Sequence, residues 1–229
     1  MVNVSETELL AACSKGDAES CASLVASGAS PNALINGLTP LVAAAAAGHT
    51  EVLAKLVELK ADVDGEVGGK ATPLIIGTLS GQLPVVQKLL SLKASVDRQT
   101  SNGHTALAGA ASTTNDKIVK ALIDGKADVA LETADGDTPL CVAAACGSSE
   151  ATHLLLASGA SVNHEAKDGA TPLIEASGNG NAIIIDSLCG SKEIDINFEN
   201  KEGVTALMAA VEAKHHQVTH ARTMAAASR

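Results

Sequence analysis

Six Thr-x-Leu triplets stand in register along this chain: Thr39-Pro40-Leu41, Thr72-Pro73-Leu74, Thr105-Ala106-Leu107, Thr138-Pro139-Leu140, Thr171-Pro172-Leu173 and Thr205-Ala206-Leu207. Successive threonines are 33 residues apart four times and then 34, and a degenerate copy, Thr7-Glu8-Leu9, precedes the first by 32. Only a tandem array of supersecondary units keeps such a register over 229 residues, because each unit must bury its apolar face against the next.

The residues around each triplet describe the unit. A glycine stands just before most of them, at Gly37, Gly103, Gly136, Gly169 and Gly203, where a tight turn needs its conformational freedom. Threonine then offers an oxygen to the free amides of a first helix, and proline takes the first helical position, where no amide is missed. Small pairs such as Ala11-Ala12, Ala43-Ala44 and Ala143-Ala144 let that helix approach its neighbours, and it ends at Gly16, Gly48, Gly81, Gly147 and Gly180. A second helix carries bulky pairs inward, at Leu24-Val25, Leu56-Val57, Leu89-Leu90, Leu122-Ile123 and Leu155-Leu156. It closes on Gly28-Ala29 or Gly159-Ala160, and an extended piece such as Ser161-Val162-Asn163 follows.

This pattern resembles the ankyrin repeat, from about Ser5 to the end of the chain. The resemblance implies an all-α solenoid in which each repeat is a β-hairpin plus two antiparallel helices, stacked into a curved superhelix. A single domain over 1–229 is expected, with repeats at approximately 5–33, 34–66, 67–99, 100–132, 133–165, 166–199 and 200–229.

Several positions depart from the family pattern. The residue after each triplet, commonly a histidine that ties neighbouring repeats, is here Val42, Ile75, Ala108, Cys141, Ile174 or Met208, so apolar contact is expected in place of that polar network. Lys60, Lys93 and Lys126 replace the glycine expected after the second helix, which predicts left-handed lysines at a cost of roughly 1 kcal/mol each. Lys70 takes the place of a hairpin glycine behind Gly68-Gly69, which predicts a shifted hairpin. Thr114 and Lys214 replace two helix-ending glycines. The last unit offers Arg222-Thr223-Met224-Ala225 where a second helix should present two bulky residues, either a polar terminal repeat or a frayed end.

Composition narrows the function. With 26 acidic against 16 basic residues the formal charge is −10, and there is no basic face for a phosphate backbone or an anionic membrane. No Trp or Tyr and a single Phe, Phe198, leave no stacking platform for single-stranded nucleic acid. The N-terminus lacks the pattern of a signal peptide, and no apolar run approaches a membrane span. Five cysteines without metal-like spacing point to reduced thiols, hence to cytoplasm or nucleus.

No catalytic constellation emerges. The run from Gly65 to Thr72 has its glycine one residue too close to Gly69-Lys70, Ala71 in the Ser/Thr place, and a hairpin where a phosphate loop needs a strand and a helix. His216 and His220 have the helical spacing of two metal ligands beside His215, but no nearby Glu or Cys completes a set. Asp135, Asp137 and Asp168 crowd two hairpin tips, where solvated charge is the ordinary state and calcium the rival. Cys13, Cys21, Cys141 and Cys189 fall at core positions and Cys146 at the groove, none beside a basic residue that would activate it. No cofactor is implied.

What remains is a non-enzymatic protein-binding module or scaffold that uses the concave groove the resemblance implies. Rivals are a gankyrin-type proteasome assembly chaperone, suggested by size and repeat number, and a docking subunit or fragment of a larger complex. The expected partner is another protein with a basic patch, bound by a chain that is monomeric on its own. Candidate partner-binding residues in the N-terminal half are Ile35, Asn36, Leu38, Ala46, Ala47, Leu79 and Ser80, with affinity centred on Ile35, Leu38 and Leu79. In the C-terminal half Asp135, Asp137, Asp168 and Glu202 are expected to steer the partner, together with Glu132 and Glu199 against Lys167 and Lys201. The rival for the three apolar residues is packing under neighbouring tips. The resemblance also marks Asn163, at the end of Leu155-Leu156-Ala157-Ser158-Gly159-Ala160-Ser161-Val162, as a target of asparaginyl hydroxylation, with hairpin bracing as the alternative role.

Overall fold

The computed structural model describes residues 4–113 and 115–213. The expectations placed on Thr114, Lys214, His215, His216, His220 and Arg222 to Ala225 lie outside them. Among the described residues the chain forms thirteen α-helices and three isolated β-bridges.

The helices alternate between two kinds. Inner helices follow the threonine triplets: α1 (Val4–Lys15), α3 (Pro40–Ala47), α5 (Pro73–Leu79), α7 (Ala106–Ala111), α9 (Pro139–Cys146), α11 (Pro172–Gly178) and α13 (Ala206–Glu212). Their starts form as the triplets imply. Thr39, Thr72, Thr138, Thr171 and Thr205 are extended at the N-cap, and each hydroxyl accepts the amide of the residue three further on at 3.3–3.4 Å. Second helices are α2 (Ala18–Ala26), α4 (Thr50–Glu58), α6 (Leu83–Ser91), α8 (Asp116–Asp124), α10 (Ser149–Ala157) and α12 (Ala182–Cys189). They are amphipathic at helical period, and Val52, Leu53 and Leu56 of α4 are fully buried like their equivalents Val85, Val86 and Leu89 of α6.

The chain divides into two compact units. One comprises Met1–Ala106 with Asp124–Ala127, and in it α3 packs on α1 and α5 on α3, with α2, α4 and α6 in a parallel row behind. The other comprises Leu107–Ile123 with Asp128–Arg229, where α11 packs on α9, α13 on α11 and α12 on α10. The core of each lies between its two rows and is built of Leu, Val, Ile and Ala.

At three second-helix ends the chain turns left-handed on a lysine, Lys60 (φ 71), Lys93 (φ 68) and Lys126 (φ 70), as the sequence predicts. Gly28 and Gly159 make the same turn elsewhere. The hairpins are reduced to tips closed by at most a single bridge, with no extended strand among the described residues. The tip at Lys70 is closed by the pair Val67 and Ala71, with Gly69 and Lys70 both left-handed. In the first tip Asn36 (φ 52) and Gly37 (φ 81) form the two-residue turn that favours this dipeptide, and Ile35 and Leu38 exchange both backbone hydrogen bonds at 2.9 and 3.0 Å.

The position after each triplet is apolar, but polar ties between repeats exist all the same. One set comes from the residue just before the second helix: His49 meets the Ser14 carbonyl at 3.1 Å, Ser148 donates to that of Thr113 at 3.0 Å and Asn181 to that of Ala144 at 3.0 Å. Another comes from the segment ahead of two of the tips. Asn32 donates to the Lys60 carbonyl and accepts the Asp62 amide, and Asn163 does the same with Glu193 and Asp195. Asn163 is thus a brace, whatever else acts on it.

Cys13, Cys21 and Cys141 are buried as expected and Cys146 is exposed, while Cys189 is only half-buried, at the last residue of α12. Burial holds the Cys13, Cys21 and Cys141 thiols above the ordinary range. An alkylating reagent at neutral pH is therefore expected to modify Cys146 first and the buried three only on unfolding, as read by peptide mass spectrometry. The lysine caps give a second prediction. Lys60→Gly, Lys93→Gly and Lys126→Gly should each stabilise the fold by about 1 kcal/mol, or roughly 2–4 °C in melting temperature, because glycine carries no left-handed penalty.

Candidate protein-binding surfaces

In the first unit the candidate residues occupy a hairpin tip and the ends of two inner helices. Asn36, Leu38, Ala46, Ala47, Leu79 and Ser80 are all exposed, Leu38 by 41% and Leu79 by 56%. Ile35 is not. It is 2% exposed, a correction to its place among the contact residues. Successive residues of an extended segment point to opposite sides, and the one that turns outward is Leu34, 64% exposed. The opening residue of a tip turns inward elsewhere too: Thr133 and Ala166, which open the tips before Thr138 and Thr171, are buried. Leu34 was missed in the sequence, although the Asn36-Gly37 turn sets the register that would have revealed it.

In the second unit the tips stand edge to edge. The Lys167 amide donates to the Asp135 carbonyl at 3.0 Å, tying one tip to the next. Gly136 is left-handed, and a Cβ there would come within 2.9 Å of the Lys167 nitrogen, so both backbone shape and close approach require glycine. On these tips Asp135, Asp168 and Glu202 are exposed and Asp137 is half-buried. Three of their loops are pinned by their own side chains: Thr133 accepts the Asp135 and Asp137 amides, Asp168 that of Ala170, and Asn200 those of Glu202 and Val204. The acidic side chains therefore stand on ordered backbone.

Behind them lies Glu175 of α11, a residue outside the expected set. Burial raises its carboxyl above the ordinary range, and Asp168 and Asp137 add to the effect. The two lysines of this region reach elsewhere. Lys167 donates to the Ala134 carbonyl at 2.6 Å, and Lys201 to that of Lys167 at 3.3 Å while lying 3.7 Å from Glu165. The result is an acidic region in which the charges of Asp168 and Asp137 act on Glu175. Among the described residues no group of three or more His, Cys, Asp or Glu side chains is placed to hold a metal ion, and no helix is long and apolar enough to cross a membrane.

The Glu175 shift has a definite sign. The folded chain holds that proton more tightly than the unfolded one, so the stabilisation is present below the ordinary glutamate range and is lost as pH rises through the raised value. Glu175→Gln should accordingly raise the melting temperature at about pH 7, with the gain shrinking toward about pH 4, in thermal melts of parent and variant.

An ankyrin-repeat family model matches in three overlapping copies, over residues 9–100, 81–166 and 150–221. No curated protein matches the chain. Ankyrin repeats are generally protein–protein interaction modules and typically non-enzymatic. Threonine-capped inner helices, amphipathic second helices, short bridged tips and a family match from 9 to 221 agree: the chain belongs to the ankyrin-repeat family and is an all-α repeat solenoid.

Proposed function

We propose that this chain is a non-enzymatic scaffold that binds a protein carrying a basic patch. The observation that carries the reading is the acidic surface of the second unit, where Asp135, Asp168 and Glu202 stand exposed on pinned tips with Asp137 and Glu175 behind them. Such a field speeds the encounter with a cationic partner and rejects anionic ones. The first unit offers an apolar surface of its own, where Leu34, Leu38, Leu79, Ala46 and Ala47 are exposed. Buried thiols suit a reducing compartment, cytoplasm or nucleus.

Capture of partners on the tagged full chain, followed by kinetics with the recovered protein, tests this. Leu38→Ser with Leu79→Ser should raise the off-rate at least about tenfold with little change in association. Asp135→Asn with Asp137→Asn should slow association and flatten its salt dependence. Ile35→Ser, by contrast, should lower the melting temperature, since it places a hydroxyl in the core. If both surface pairs bind as the parent does at equal stability, these surfaces are not the interface.

A further inference from the structure

In the first repeat two thiols meet inside the core. Cys13 stands in the last turn of α1 and Cys21 near the start of α2, both 0% exposed, with their Sγ atoms 3.2 Å apart. That is inside the ordinary contact of two sulfurs and marks a hydrogen bond between the thiols. In other repeats the same two places hold Ala45 and Leu53, Thr78 and Val86, Ala111 and Val119, Ala144 and Thr152, or Ser177 and Ile185, all buried. Packing there asks for a small residue and a larger one, and none of those pairs can bond covalently.

The backbone that brings the thiols together is fixed. α1 ends at Gly16, left-handed at φ 83, and the Asp17 amide donates to the Ala12 carbonyl at 3.1 Å. Asp17 then caps α2, its carboxylate accepting the Ser20 amide at 2.9 Å and the Ser20 hydroxyl at 2.6 Å. A disulfide bond is about 2.0 Å long, so small rotations about the two Cα–Cβ bonds close the remaining gap. Among the described residues no third metal-ligating side chain joins the pair, so the chemistry open to it is that of two sulfurs.

We propose that Cys13 and Cys21 are an oxidation site, joined by hydrogen peroxide into a disulfide that clamps α1 to α2. One sulfur attacks the peroxide, the O–O bond breaks, and a sulfenic acid and one water result. The second sulfur attacks the sulfenic sulfur, the S–O bond breaks, and hydroxide leaves with the second thiol proton as another water. Two thiols are oxidised and one peroxide is reduced, with no other reactant. Burial holds both thiols above their ordinary range, so neither is a standing thiolate and the pair stays quiet until oxidant reaches it. A molecule little larger than water needs only a local parting of α1 from α2, whereas an alkylating reagent needs the repeat to unfold. Among the described residues α1 packs on α2 and α3, while α3 packs on α1, α4 and α5, so α1 is the less firmly held of the two. A bond across so short a loop restrains that opening.

The test uses the full chain carrying Cys146→Ser, which removes the exposed thiol. The folded protein is treated with dilute hydrogen peroxide until Met208, 54% exposed, is oxidised, then quenched, unfolded, alkylated and digested with trypsin. Cleavage after Lys15 and Lys55 leaves Cys13 in residues 1–15 and Cys21 in residues 16–55, each the only cysteine of its peptide. These two peptides should be recovered joined, lighter by two hydrogens and separated by reductant. Amides of α1 should then exchange with deuterated solvent at least about tenfold more slowly than in the reduced chain. With Cys21→Val, which gives this place the residue type of Val86 and Val119, peroxide should leave that exchange unchanged. Cys13 and Cys21 recovered as separate alkylated thiols or sulfinic acids overturn the proposal, as does either one joined to Cys141 or Cys189. So does a joined pair with unslowed exchange in α1, or slowing that persists in the Cys21→Val chain.

Discussion

Everything in this fold hangs on how closely an inner helix can approach the second helix behind it. In α5 the chain has Gly77 five residues after the capping Thr72, and a Cβ there would lie 2.6 Å from Cγ1 of Val85 on α6. The equivalent residues Ala44, Ala110, Ala143, Ala176 and Ala210 are all fully buried. A larger side chain would push the two rows apart, and the leucines between them would lose contact on both sides at once. This explains a core with almost no aromatic residues: a thin layer held at short range is filled by Leu, Val, Ile and Ala, and a ring would prop it open.

Most of that logic could be read from the chain. The threonine caps, the small inner helices, the apolar second helices and the left-handed lysines stand where the periodicity puts them, because each is a local consequence of residues a few positions apart. What could not be read depended on which way a side chain turns once the backbone has closed. Ile35 and Leu34 are adjacent and equally apolar, and only the two-residue turn at Asn36-Gly37 decides which is buried. The polar ties were missed for a similar reason. Absent histidines after the triplets suggested no such network, whereas His49, Ser148, Asn181, Asn32 and Asn163 supply it from other positions.

The charges follow the same division between local and assembled properties. An excess of acid in the C-terminal half is plain in the sequence, but Glu175 joins Asp137 and Asp168 only because α11 rises beside the tips. The lysines look like neutralising neighbours on paper. In the fold Lys167 and Lys201 are spent partly on backbone carbonyls, and the surface stays negative.

The ties that His49, Ser148, Asn181, Asn32 and Asn163 make between repeats share one further property: each runs from a side chain to a backbone group. His49, Ser148 and Asn181 reach carbonyls, and Asn32 and Asn163 read a carbonyl and an amide together. A backbone carbonyl is present whatever residue bears it, and an amide in every residue but proline, so the partner of each of these ties is rarely lost by substitution. A junction built this way asks for one suitable side chain rather than a matched pair. A repeat copied from one place in such a chain would carry half of every junction with it and find the other half waiting, which makes arrays of this kind easy to lengthen, shorten or shuffle without rebuilding their seams.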